Sequence, residues 1–342
     1  MTDKHDFAYS VALIRTWETL LLNDNEVERM TLSKDASDAF RILNEFDCAD
    51  NKSGIDSPAE FQKVVDEDLL EVIELLRKVT PDKRVLNIIL HKYDFHNIKT
   101  LLKAKLSNKT LEEISHLLSN MGAIKKEALI KFIYEDENVP FNLSEQTETY
   151  LKKKIKKTIA QFEKDQDPQK IDLYLDQKLM KITYGIAVDS KNKFLIEYVK
   201  KLIDLNNIKL FFRMKAQNKE LELYSIAFLW NGTVPYAKFK DAYQHALSNV
   251  TEHIKGPYAK LIETGLKHFE EEKTFIYLER EIENHLTEFI KRAKLIPFGP
   301  EPLIAYLLAK DNNAKILRMI MVNKLNSVAP EEIQKRLRTL YR

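Results

Sequence analysis

The chain repeats itself with a period of about 110 residues, and this repeat limits the possible folds more than any other feature. Residues 93–99 match residues 203–209, and residues 122–124 match residues 232–234 at the same offset. Several matches at one offset are hard to produce by chance. The chain must therefore contain like units that pack against one another.

A third copy is recognisable nearer the C-terminus. Residues 324–325 and 331–333 repeat residues 105–106 and 112–114, at an offset of roughly 220 residues. In this copy Arg318 keeps the basic character of the corresponding position in the first two copies, whereas the asparagine beside it is lost.

The third copy is cut short, because the counterpart of Gly122 would fall where the sequence ends. Residues 21–30 resemble residues 117–129 and are a candidate for the missing piece. We therefore hypothesise that the N-terminal segment completes the third unit, so that three bundles close into one body. The hypothesis requires residues 9–30 to lie near residues 300–342.

The sequence favours helices throughout. Seven glycines and ten prolines in 342 residues leave little room for the frequent turns of an all-β fold. Thr110 followed by Glu113 is a capping box, and apolar residues recur at steps of three and four through residues 194–203. We predict an all-α protein whose amphipathic helices pack as bundles.

The repeat predicts four segments along the chain. Residues 1–50 are expected to form N-terminal helices that complete the third bundle. Residues 51–150 are expected to form the first helical repeat, residues 151–260 the second and residues 261–342 the third.

The recurring polar residues are the candidate site. They could form an anion or partner site, or they could satisfy backbone groups at helix ends and bridge neighbouring helices. The second interpretation is favoured, because motifs that recur once per repeat usually encode how the repeat folds. The residues are Asp94, Asn97, Lys99, Asp204, Asn207, Lys209 and Arg318.

Composition argues against several functions. The net charge of +2 lacks the basic excess of a dedicated nucleic-acid binder. Cys48 is the only cysteine, which excludes an intrachain disulfide or a cysteine zinc site. No run approaches the roughly 18 apolar residues of a membrane span, and no glycine-rich phosphate loop occurs. We predict no catalytic residue, no cofactor, no metal site and no direct membrane span.

Two acidic or histidine patterns resemble metal sites. Asp66, Glu67 and Asp68 could hold magnesium, as in a helical synthase, but acidic residues at a helix start more often serve the helix dipole and solvation. His91 and His96 are five residues apart, so they diverge on a helix instead of sharing a face. Neither pattern is predicted to bind a metal.

Two further features have alternative interpretations. The basic run at residues 152–157 could contact anionic lipid headgroups or an acidic partner, although acidic residues follow closely and favour a solvated helix face. Trp17 and Trp230 are expected to pack in the core or between helices. An exposed tryptophan would indicate an interface instead.

The two ends of the chain resemble a known family. Near the C-terminus, residues 297–310 read PFGPEPLIAYLLAK, and Arg318 and residues 330–333 follow at the spacing found in that family. Near the N-terminus, Tyr9 and Arg15 resemble the first helix of the same family. With the central repeats, most of the chain is similar to the C subunit of the rotary V/A-type ATPases, which is the bacterial and archaeal counterpart of the eukaryotic d subunit.

The resemblance implies a fold and a role. It implies three similar helical bundles related by pseudo-threefold symmetry and arranged as a funnel. The funnel would receive the D and F subunits of the central stalk and rest on the membrane proteolipid ring, as a peripheral component at the cytoplasmic face. This non-catalytic rotor component would transmit torque for ATP-coupled transport of protons or sodium ions. Ile316, where the family commonly has Asn, and Asn326, where Gly is common, are local departures.

Two rival functions remain at this stage. A helical-repeat scaffold of another complex would share the fold and differ in its partners. An all-helical enzyme would need a convergent polar cluster, for which Asp66 is the best candidate.

Overall fold

A computed structural model describes residues 3–46, 55, 57–165 and 167–342 of the chain. Within these residues every regular element is a helix, so the all-α prediction is confirmed. Cys48 and the predicted boundary at 50/51 lie outside the described residues.

The α-helices of the described residues follow one another with short connections, some of which contain single 3₁₀ turns. They are α1 (Ala8–Trp17), α2 (Asp24–Leu32), α3 (Ala36–Leu43), α4 (Phe61–Val79), α5 (Asn87–Leu106), α6 (Leu111–Ile114), α7 (Lys126–Tyr134), α8 (Glu145–Asp165), α9 (Pro168–Asp189), α10 (Lys193–Ala216), α11 (Leu221–Ala227), α12 (Tyr236–Tyr243), α13 (Val250–His253), α14 (Ala259–Glu272), α15 (Ile276–Lys291), α16 (Glu301–Leu325) and α17 (Pro330–Gln334).

These helices form two compact units. The terminal unit combines Met1–Lys83 with Ser248–Arg342, and the central unit is Arg84–Leu247. The division into three bundles stays a prediction. Its boundaries at 150/151 and 260/261 fall inside α8 and α14.

The terminal unit is built around α16. This helix packs against α4, α3, α1 and α15, and its buried residues lie on all sides of it. Burial on every side is typical of a central helix. The buried set includes Lys310, whose ammonium lies 3.0 Å from the carboxylate of Asp68 on α4. Because an unpaired charge is costly to bury, this pair fixes how α16 meets α4.

Contacts between the two ends of the chain also belong to the terminal unit. Helix α1 packs on α16, and α2 packs on α17. Arg15 donates hydrogen bonds to the carbonyls of Ala293 and Ile296, each at 2.9 Å. Helices α1 and α2 therefore lie beside C-terminal helices, and their completing a third bundle stays a prediction.

The hydroxyl of Tyr341, near the C-terminus, forms a hydrogen bond with the helical turn after α1. It donates to Glu18 at 3.1 Å, and the Tyr341 ring is buried. Burial, with the negative charge of Glu18, raises the pKa of Tyr341 well above its ordinary value. The Tyr341 hydroxyl therefore remains a neutral donor to Glu18 throughout the physiological range.

The central unit places α9 at the middle of its bundle. Helices α5, α8 and α10 all pack on α9, and α7 packs on α5. Its largest aromatic cluster surrounds Phe211, whose ring centroid lies 5.6 Å from that of Tyr243 and 5.9 Å from that of Tyr224. Such edge-to-face contacts add packing energy beyond the area that they bury.

Within the described residues, no helix has both the length and the apolar character that a bilayer crossing requires.

Candidate functional site: the repeated helix frame

The repeated aspartate holds the start of a short helix in both complete repeats. Asp94 is fully buried on α5 and accepts hydrogen bonds from the backbone N–H groups of Ala123 at 3.1 Å and Ile124 at 2.9 Å. These groups directly precede α7. The first N–H groups near a helix start lack intrahelical partners, so a buried carboxylate is a strong acceptor for them.

Asp204 repeats this arrangement on α10. It accepts from the N–H groups of Thr233 at 2.8 Å and Val234 at 3.0 Å, directly before α12. The hydroxyl of Thr233 also donates to Asp204.

The repeated asparagine binds one backbone residue through both of its side-chain atoms. Asn97 donates to the carbonyl of Ser119 and accepts from the N–H of the same residue, both at 2.8 Å. Asn207 does the same with Leu229, at 2.8 and 2.9 Å. Both asparagines are fully buried, and their bonds fix the loop that leads to the short helix.

A lysine holds the other end of each short helix. Lys105 donates to the carbonyl of Ile133 near the end of α7, and Lys215 donates to the carbonyl of Tyr243 at the end of α12, at 2.8 Å. Each short helix thus has a carboxylate at its N-terminal end and an ammonium at its C-terminal end. The helix dipole favours this arrangement.

Two glycines allow the close approach of the aspartates. A β-carbon added at Gly122 would lie 2.1 Å from Oδ1 of Asp94, and one at Gly232 would lie 2.2 Å from Oδ1 of Asp204. The sequence showed that these glycines correspond, and the structure supplies the steric reason. We call the Asp, Asn, Lys and Gly contacts of one repeat its helix frame.

Two similar contacts join α16 to the segment around α2, and we call them the third frame. Asn313 occupies the position of Asp94 on α16, and its side-chain oxygen, oriented by the surrounding hydrogen-bond network, accepts from the N–H of Leu22 at 2.8 Å. Leu22 stands two residues before α2, as Ile124 stands before α7. Lys324 donates to the carbonyl of Ser33, directly after α2, at 2.6 Å. Residues of α16 thus contact the backbone on both sides of α2, although Ile316 stands where the other frames have Asn97 and Asn207.

Two of the three repeated basic residues lie in ion pairs between long helices. Lys99 on α5 pairs with Asp176 on α9, and Arg318 on α16 pairs with Asp66 on α4. Asp66 and Asp176 themselves correspond in the repeat. These pairs are half-exposed, so each contributes modestly to stability. Lys209 lines a groove between α9 and α10.

Comparisons with known proteins assign the chain to a protein family. A model of the ATP synthase (C/AC39) subunit family matches residues 10–336. The chain belongs to this family. It is 25% identical to the C subunit of the A-type ATP synthase of Methanocaldococcus jannaschii, over 99% of this chain and 88% of that protein. It is 24% identical to the C subunit of the V-type sodium ATPase of Enterococcus hirae, over 82% and 83% of the two chains. The resemblance found from the sequence is confirmed.

Asp66 and Asp68 lie beyond the first turn of α4, not at the helix start that the sequence suggested, and both form ion pairs with α16. Asp66 pairs with Arg318, and Asp68 with Lys310. A magnesium site would have to displace both cations, so these pairs favour a packing role for this member of the C/AC39 family.

His91 and His96, both on α5, lie against different groups. Nδ1 of His91 lies 2.8 Å from the carboxylate of Asp94, and Nε2 of His96 lies 2.9 Å from the carbonyl of Leu117. The spacing of five residues predicted that the two side chains diverge, and in the structure they contact different partners.

The expectation that Trp230 packs inside the protein is wrong. Its side chain is 57% exposed in the loop between α11 and α12, where one side of the ring contacts Phe228 and Tyr236. Trp17, by contrast, is half-buried against Tyr306. An exposed tryptophan on an aromatic base is typical of a binding surface.

Proposed function

We propose that this chain is the central-stalk component that links the D–F shaft to the membrane proteolipid ring of a rotary ATPase. The observation that carries the proposal is the family match over residues 10–336, together with relatives named as the C subunit of A-type and V-type complexes. In this role the chain transmits torque between ATP chemistry and the transport of protons or sodium ions. It works as a peripheral component at the cytoplasmic face of the membrane.

A torque-transmitting protein must resist deformation, and the helix frames supply a physical basis for stiffness. Their polar groups are buried and paired, so bending a long helix away from its short helix would expose unsatisfied N–H groups. Tight packing around α9 and α16 adds resistance, because protein interiors have low compressibility.

The chain acts mechanically in this proposal. The residues that could have formed an acidic catalytic cluster, Asp66 and Asp68, face cations of α16 instead. A helical scaffold of another complex is the alternative, and it differs from the proposed role in the partners that it binds.

Size-exclusion chromatography of the purified chain with its partners tests the proposal. We expect one-to-one co-elution with the D–F pair from the same source, and separate co-elution with the detergent-solubilised ring. If a natively folded chain, shown to be helical by circular dichroism, binds neither partner, the coupling role is contradicted and the scaffold alternative is favoured.

The exposed Trp230 offers the first interface variant. Trp230→Ser should weaken one of the two complexes by about thirtyfold, because central tryptophans of interfaces commonly contribute about 2 kcal/mol or more. Trp17→Phe is the matched control and should leave both affinities unchanged. Equal binding by both variants would remove Trp230 from the contact surfaces.

A further inference from the structure

Four lysines of the central unit gather where α8 and α9 pack together. The basic run of α8 contributes Lys154 and Lys157, and α9 contributes Lys178 and Lys181. Burial lowers the pKa of Lys178, and the positive charges of the other three lower it further. Lys154 and Lys181 lie over one ring, that of Tyr150, and Lys157 lines the same groove as Tyr174, which Lys178 contacts. We call these four residues the lysine cluster.

The described part of the chain supplies aromatic rings to the cluster instead of carboxylates. The ammonium of Lys178 lies 4.3 Å from the ring centre of Tyr174, and Lys154 and Lys181 lie 5.1 and 5.5 Å from that of Tyr150. Lys152, in the same run, is different because it pairs with Glu148 at 2.7 Å. Within the described residues no ion pair joins a lysine of the cluster to a carboxylate, and the nearest acidic residue of the groove lining is Asp167.

An apolar groove adjoins the lysine cluster. It has a volume of about 290 Å³, and Phe162, Ile171, Tyr174 and Ile226 line it, with Lys157 at its edge. Ile226 is 57% exposed, and within the described residues the hydroxyl of Tyr174 is shielded from solvent without a hydrogen-bond partner. The rest of the polar lining is Thr158, Gln161, Asp167 and Lys170. A ligand that fits this surface is anionic at one end and apolar at the other.

We propose that the lysine cluster and its groove bind an anionic phospholipid. The four ammonium groups contact the phosphate of the headgroup, and the groove receives the first part of an acyl chain. An acidic protein segment would match the charge but would leave the apolar groove unfilled. Anionic membrane surfaces attract clustered lysines at close range. This inference goes beyond the proposed function and does not depend on the stalk or the ring.

Vesicle co-sedimentation with the full chain tests the proposal. We expect binding to vesicles that contain phosphatidylglycerol, weak or no binding to pure phosphatidylcholine, and a decrease with added salt. Replacing all four cluster lysines with glutamine should weaken binding to the anionic vesicles on the order of a hundredfold. Ile226→Asp should weaken it as well, because the groove would lose an apolar wall.

The matched control variant lowers the net charge by the same amount as the cluster variant, but at lysines outside the cluster. It replaces four exposed lysines outside the cluster with glutamine: Lys238, Lys240, Lys260 and Lys267. Its binding should stay within about threefold of the native chain. Equal losses in both quadruple variants would show unspecific attraction and overturn the proposal, and so would a native chain that does not bind anionic vesicles. Retained binding in Ile226→Asp would overturn the part that assigns the groove.

Discussion

Deleting residues 1–32 is expected to abolish cooperative folding of the terminal unit. The deletion removes α1 and α2. It also removes the N–H group of Leu22, which donates a hydrogen bond to Asn313. It also removes a set of buried side chains, each contributing about 1.5–3 kcal/mol. Their sum matches or exceeds the roughly 5–15 kcal/mol by which a typical domain is stable. The buried side chains that the deletion removes are Phe7, Val11, Ile14, Leu21, Leu22, Val27 and Met30.

Hydrogen exchange measured by mass spectrometry provides the test. In the deleted chain the amides of α16 should exchange rapidly, whereas those of α9 and α10 in the central unit should remain protected. Deleting residues 1–6 is the control, since those among them that the structure describes are exposed, and it should leave α16 protected. Native protection of α16 after the longer deletion would show that α2 is not part of the unit that α16 organises.

Replacing Asp204 with alanine is expected to destabilise the central unit by about 3–5 kcal/mol. The change leaves the partly buried N–H groups of Thr233 and Val234 without this acceptor, at about 1–3 kcal/mol each, and opens a small cavity. Asp204→Asn is the matched variant. It should cost about half as much or less, because one amide oxygen remains to accept, as Asn313 does in the third frame.

Urea denaturation of both variants, followed by circular dichroism, measures this difference. The expected order of stability is native chain, Asp204→Asn, then Asp204→Ala. Equal loss in the two variants would mean that the negative charge matters more than the accepted hydrogen bonds. No loss in Asp204→Ala would contradict the role of the helix frame.

The repeat allowed the sequence to predict which residues of the frame matter, but their partners required the structure. Asp94 and Asn97 stand out because each recurs at one offset, whereas Lys105, which also recurs, was not among the candidate residues. Their contacts lie 30, 22 and 28 residues further on, in loops and helix ends that no local pattern connects to them. An offset shows that two positions are alike and does not show what either one touches.

The third frame was harder to recognise from the sequence. Asn313 replaces the aspartate, and Leu22, the residue that it holds, lies at the opposite end of the chain. The resemblance of residues 21–30 to residues 117–129 was the sequence signal that pointed to this segment. The contacts of Asn313 and Lys324 with either end of α2 depend on tertiary packing.

Surface features were the least predictable. Trp230 follows a helix with apolar residues at ordinary core spacing, and that spacing is the same for a core position and for a binding surface. The lysine cluster joins two helices, so residues 152–157 revealed only the α8 half of it. Lys178 and Lys181 joined it through packing of α9 on α8.

The most direct test of the coupling role is a reconstituted rotary complex prepared with and without this chain. ATP hydrolysis and ion accumulation in sealed vesicles are measured on the same sample. The coupling role predicts that complexes lacking the chain hydrolyse ATP without accumulating ions, and that adding the purified chain restores accumulation. Ion accumulation at the full rate in its absence would contradict the account.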